Sequence, residues 1–164
     1  MGDAVDHASA KIDDESVDGF LDWYRGVVVA KVAGLERGEA TRIATPSGLT
    51  LLGIVKHLRW VEEGWFQEKF LGRAMTVRID NPSSFVVDGS DTMASVVAAY
   101  QAECARSREV VAEAPARDAR AALAHHVFGQ VTLHWILVHM VEETARHAGH
   151  LDVLRELTDG HIGD

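Results

Sequence analysis

Apolar side chains recur at helical spacing in four stretches of the chain, and no stretch alternates apolar and polar residues as a half-buried strand would. The first stretch, about residues 16 to 37, carries Phe20, Leu21, Tyr24, Val27, Val28, Val32 and Leu35. It opens at Ser16-x-x-Gly19, a capping box without its acidic partner, and Gly38 is the expected stop. The second, about 48 to 71, follows Thr45-Pro46-Ser47, where a hydroxyl and a proline mark a helix start, and closes at Gly72. The third, about 91 to 113, has Asp91 or Ser90 as its expected cap and carries Met93, Val96, Val97, Tyr100, Cys104, Val110 and Val111 before Pro115 halts it. The fourth, about 130 to 158, ends near Asp159-Gly160.

The links between these segments decide the architecture. Residues 73 to 90 contain the turn pairs Asn81-Pro82 and Asp88-Gly89 and little helical pattern. Extended, they reach about 60 Å at ~3.3 Å per residue, more than the ~35 Å of the helix before them. Such a link can cross the bundle and leave the second and third long helices parallel. Residues 114 to 129 form another connection, with a short helix over RAALAHHVF (120 to 128) as an option. The pattern predicts an all-α protein, a four-helix bundle with long crossover connections. Residues 1 to 15 are polar and acidic and read as a flexible tail ahead of one domain at 16 to 160.

Composition narrows the function. The 164 residues are 47% apolar and 25% charged, ordinary for a globular chain that buries about two-thirds of its unfolded surface. The 25 acidic and 16 basic residues leave a net charge of -9 with no basic stripe, which disfavours nucleic acid and anionic lipid as partners. The single cysteine, Cys104, permits no internal disulfide, and its helix shows no cationic neighbourhood, so it reads as a packed apolar residue in a reducing cytoplasm. The N-terminus lacks the apolar core of a signal peptide, and no apolar run approaches the ~18 to 20 residues of a membrane span.

The unusual chemistry sits in HMVEETARHAGH, residues 139 to 150. At about 100° per residue, with His139 at zero, Glu143 falls near 40°, His147 near 80° and His150 near 20°, while the apolar arc runs from roughly 60° to 200°. Glu143 and His147 therefore sit at the margin of the core stripe, where an ionised group needs a partner or a metal. On the second helix His57 is the only histidine, and Val61, Ile54, Trp65 and Leu58 follow it within about 100°. His57, Glu143 and His147 would supply three protein ligands and leave positions open for water or substrate. A core-margin histidine hydrogen-bonded to a neighbour, or a solvated face of (i, i+4) pairs, gives the same spacing. Position at the stripe margin favours metal. No HExxH and no pair of Glu-x-x-His motifs occurs, which argues against a zincin protease or a di-iron carboxylate site.

Two stretches, TPSGLTLLGIVKHLRWVEEGWF (45 to 66) and LHWILVHMVEETARHAGHLDVLRELTDG (133 to 160), closely resemble the DinB-like superfamily, in particular the branch of mycothiol-dependent transferases and the metal domain of maleylpyruvate isomerase. The resemblance implies a bundle with one divalent metal, zinc or alternatively nickel, held by His57 on the second helix and by Glu143 and His147 on the fourth. His150 then stands as a substitute ligand for Glu143 or a neighbour of the site, and His139 as a further neighbour. The resemblance also implies mycothiol as co-substrate, a small electrophile as the second partner, and a homodimer to which the apolar residues of the first helix could contribute. The expected activity is metal-dependent thiol S-transfer. A thiol-dependent isomerase, a metal-dependent hydrolase and a non-catalytic metal-binding module are the alternatives on the same residues. Trp60 and Trp65 read as core or as pocket mouth, Arg146 as an exposed arginine or a substrate carboxylate holder, and His125-His126 receives no role.

Overall fold

The computed structural model describes residues 16–75 and 82–163, and the tail expected at 1–15 lies outside them. Five α-helices appear among the described residues: α1 (Val17–Val32), the single-turn α2 (Arg37–Ala40), α3 (Leu51–Glu62), α4 (Met93–Glu113) and α5 (Leu133–Asp159). A π-helical segment, Glu63–Phe70, prolongs α3, and a 3₁₀ turn, Pro82–Phe85, lies in the link to α4. The four long helices are those the apolar periodicity predicts.

The ends differ in instructive ways. Ser16 does cap α1, its Oγ accepting from Gly19 N at 3.3 Å. The helix stops at Val32 rather than at Gly38, because Gly34 turns the chain with φ of +76°, and Gly38 falls inside α2. Thr45-Pro46-Ser47 forms a turn, and α3 instead starts beyond Thr50, whose Oγ1 accepts from Gly53 N at 3.0 Å. Thr92 caps α4, in place of Asp91 or Ser90, because the Asp91 carboxylate already accepts from Lys56 Nζ at 2.6 Å. Over 120 to 128 there is no helix. Backbone pairs join Arg120 to Thr132 and His125 to Gly129, while Ala122 and Leu123 donate to the carbonyls of Phe70 and Lys69. Those N–H groups satisfy the open end of the α3 extension, and a local helix would withdraw them.

Contacts along the helices give their directions. Lys56 meets Asp91 just ahead of α4, and Glu62 Oε1 lies 3.8 Å from Cys104 Sγ in its middle, so α3 and α4 run parallel. Asp18 pairs with Arg117 beside the start of α5, and Arg155 Nη1 donates to Lys31 O at 3.0 Å near its end, so α1 and α5 also run parallel. His57 against Glu143 and Trp65 against Trp135 set α3 antiparallel to α5. The α3–α4 link crosses the length of the bundle, whereas residues 114–132 remain at one end.

The core falls into two apolar clusters. One gathers Val28, Val32, Leu51, Ile54, Leu58, Tyr100 and Leu151, the other Leu21, Val61, Trp65, Phe66, Val110, Ile136 and Met140. Leu21, Val28 and Val32 of α1 thus point into their own bundle, and Phe20 is the large apolar residue that this helix leaves exposed. Between the clusters runs a polar layer of buried Arg25, Glu62, Ser107, Thr144 and His147. Arg25 Nε and Nη2 donate to the two Glu62 oxygens at 2.7 and 2.6 Å. Burial alone would depress the guanidinium, yet the Glu62 charge raises its pKa above the ordinary value.

Candidate metal centre

One end of the polar layer reaches the α3–α5 face. His57 and His147 are buried and Glu143 is partly so, and one donor atom from each lies within 4.8 Å of the others. Glu143 Oε1 is 3.2 Å from His147 Nε2 and 3.7 Å from His57 Nε2. Four-residue spacing on α5 brings Glu143 and His147 side by side, and the antiparallel α3 delivers His57 opposite them.

The link residues hold His57 in place. Its Nδ1 lies 2.8 Å from the Oγ of fully buried Ser84, and with Nδ1 as donor the Nε2 lone pair faces Glu143. Phe85 stacks on the same imidazole, ring centroids 3.8 Å apart and planes 11° from parallel. This approach depends on Gly53, one turn before His57: a Cβ there would stand 2.6 Å from Phe85 O. Ser84 and Phe85 are functional neighbours that sequence reasoning misses, since a link without periodicity carries no signal for which of its residues turns inward.

The electrostatics suit a cation. The hydrogen bond to His147, and then the nearby His57 ring, hold the Glu143 carboxyl well below the usual carboxylate range. Burial pushes the His57 imidazole down, toward its neutral form, against the opposing pull of Glu143. An ionised carboxylate and a neutral imidazole are the states a divalent ion requires of its ligands. Donors on a tetrahedral ion with bonds of ~2.0–2.1 Å are about 3.4 Å apart, a figure that the 3.2 and 3.7 Å separations bracket. The longer one exceeds a hydrogen bond, so hydrogen bonding alone does not account for the set. The residues present therefore fit a metal.

The chain belongs to the mycothiol-S-transferase family. That family's model matches residues 16–160, which takes in both stretches that carry the DinB-like resemblance. No curated protein matches the chain.

Around this centre of the mycothiol-S-transferase family member, the remaining polar residues divide. His150 is exposed, its Nδ1 3.4 Å from His147 Nδ1, and it is not part of the convergent set. His139, Glu142 and Glu143 form a second group with atoms within 4.8 Å of one another, and its Glu142 is exposed and pairs with Arg146. Arg146 also donates to Glu143 Oε2 at 3.1 Å, at the rim of the site. Trp65 is buried, packed edge-on against His139 and flat against His125, which gives His125 a contact that its sequence context did not foretell. Trp60 lies apart from the site with the Arg59 guanidinium 3.6 Å above its ring. Cys104 is buried in the bundle, and burial and then the Glu62 charge push its thiol up to about 12, far from a nucleophile's range. No helix among the described residues is long and apolar enough to cross a membrane.

Proposed function

We propose that this protein is a metal-dependent thiol S-transferase, joining a low-molecular-weight thiol such as mycothiol to a small electrophile. The observation that carries the reading is the convergence of the His57, Glu143 and His147 donor atoms from two antiparallel helices. Membership of the mycothiol-S-transferase family supports it from a second direction.

In this reading His57 Nε2, a Glu143 oxygen and a His147 ring nitrogen would hold one divalent ion, with zinc the proposed occupant and nickel the alternative. The ion would supply Lewis acidity that lowers the pKa of a thiol sulfur placed against it. Ser84 keeps the His57 tautomer and ring orientation, and Phe85 screens that imidazole from water. Partial burial lowers the pKa of His150, whose Nδ1 lies 3.4 Å from His147 Nδ1, and the neutral ring would carry the thiol proton to solvent. The thiolate sulfur then forms a bond to the electrophilic carbon. With an alkyl or aryl halide the carbon–halogen bond breaks and halide departs with its electron pair; with an epoxide the ring oxygen takes the pair and a proton.

Metal analysis tests the reading. Wild type purified without chelator should carry about one divalent ion per chain, and His57→Ala and His147→Ala should lose it while keeping helical circular dichroism. Wild type free of stoichiometric metal, or variants that retain it, overturns the assignment. Metal-loaded wild type should then accelerate conjugation of mycothiol to monochlorobimane, and a rate at background with metal bound would leave a binding module and remove the transferase.

A further inference from the structure

Beside the metal centre lies a group of rings that the reaction above does not use. One turn before Glu143 on α5, His139 stacks on Trp135, centroids 5.1 Å apart and planes at 20°. Phe128 packs against both, at 4.9 Å from Trp135 and 5.9 Å from His139, with Trp65 lying behind Trp135 and His139. His139 adjoins the site directly, because one of its ring nitrogens lies within 4.8 Å of a Glu143 oxygen.

Phe128 is placed there by a short reversal of the chain. His125 and Gly129 exchange backbone hydrogen bonds of 2.8 and 2.9 Å, and Gly129 turns with φ of +69°. Within the loop, His125 Nδ1 accepts from Val127 N at 3.2 Å, and its ring stacks on Phe128 at 4.9 Å. The loop nevertheless leaves apolar surface in solvent: Val127 is 66% exposed and Phe128 49%. Phe128 is half exposed although held against three rings, His125, Trp135 and His139, the last of them beside Glu143, and exposed apolar surface next to a candidate site marks a binding face.

We propose that the Trp135–His139–Phe128 face is the electrophile subsite, and that it selects planar, conjugated electrophiles over small aliphatic ones. The inference rests on the thiol-transfer reading. A sulfur held beside Glu143 must come within about 3–3.5 Å of the carbon it attacks, and the four residues from Glu143 to His139 span about 6 Å at ~1.5 Å per residue, so the ring of an electrophile attacked there reaches His139. Phe128 is tilted by 47° and 54° to Trp135 and His139, and its half-exposed ring offers a flat ligand a stacking partner that a short aliphatic chain cannot use.

Binding is measured first with 1,3-dinitrobenzene, an unreactive planar probe that needs neither metal nor thiol, by saturation-transfer NMR. Wild type and His57→Ala should bind it equally, Phe128→Ala about tenfold more weakly, and Phe128→Tyr, which retains a ring, like wild type. In the metal-loaded protein with mycothiol, Phe128→Ala should raise KM for 1-chloro-2,4-dinitrobenzene about tenfold at little cost in kcat and leave iodoacetamide kinetics unchanged. Unaltered dinitrobenzene binding in Phe128→Ala, or an equal loss toward both electrophiles, overturns the proposal. So does a change of sedimentation in Phe128→Ala with probe binding intact, the result expected if a second copy of the chain covers this face. Ring-dependent probe binding without conjugation by any variant would sink the transfer reading alone and uphold the aromatic subsite.

Discussion

His57 shows how a single side chain couples folding to the site. The fold lowers its pKa, chiefly by burial, from an ordinary value near 6.5. The unfolded chain therefore takes up a proton at a pH where the folded chain does not. The neutral ring's contribution to stability is present above about pH 6.5 and is lost as pH falls toward the folded pKa. Glu143 acts in the same direction lower down: its depressed pKa contributes stability above the ordinary carboxylate range, which is lost as pH falls through it. Metal-free protein should thus lose denaturation midpoint on going from pH 7.5 to 5.5, and His57→Gln should flatten that slope. Urea titrations at a series of pH values measure it, and an equally steep slope in the variant would refute the assignment to His57.

Among the elements, the contact between α3 and the Pro82–Phe85 turn matters most for the site. Gly53 is the position on α3 where the backbone of the link comes closest, and an added methyl would meet Phe85 O at 2.6 Å and Thr50 Oγ1 at 2.8 Å. Phe85 O is backbone and cannot swing aside, so the turn must shift and carry Ser84 away from His57 Nδ1. Gly53→Ala is expected to cost ~1–3 kcal/mol as an overpacked contact, despite alanine's better helix propensity. Metal affinity should fall about 10-fold or more, as when a hydrogen-bond partner of a ligand is lost. Denaturation and a competitive metal titration give the two numbers, and a stabilised variant of unchanged affinity would show that the turn does not set the site.

At the scale of the whole molecule, the bundle is held across its middle by charge as well as by apolar packing. Arg25 of α1 and Glu62 of α3 are buried and joined by two short hydrogen bonds, with the Cys104 thiol against the same carboxylate. Removing one partner leaves the other charged in an apolar surround, so Arg25→Met or Glu62→Leu alone should each destabilise by about 3–5 kcal/mol. The double variant should recover most of that loss, because an apolar pair of similar volume needs no solvation. A double-mutant cycle by chemical denaturation checks this. Additive losses in the double variant would mean that the pair is not the coupled unit its geometry describes.

The sequence by itself determined the four long helices, since a 3.6-residue apolar period leaves little freedom in which face is buried. It also singled out His57, Glu143 and His147, because carboxylate and imidazole at the margin of a core stripe stand out in helical projection. Tertiary structure decided what periodicity does not encode. Ser84 and Phe85 meet His57 only because the crossing link docks at Gly53. Arg25 finds Glu62 across 37 positions of sequence, and neither helical pattern names the other. The alanine-rich run from 120 to 128 shows the reverse case: its local preference is helical, yet the open carbonyls of Phe70 and Lys69 and the carbonyls of the returning chain at Gly129 and Val131 claim its N–H groups. Local spacing settles which residues share a helix face, whereas their partners are settled by where a non-periodic backbone satisfies its hydrogen bonds, a property of the assembled bundle.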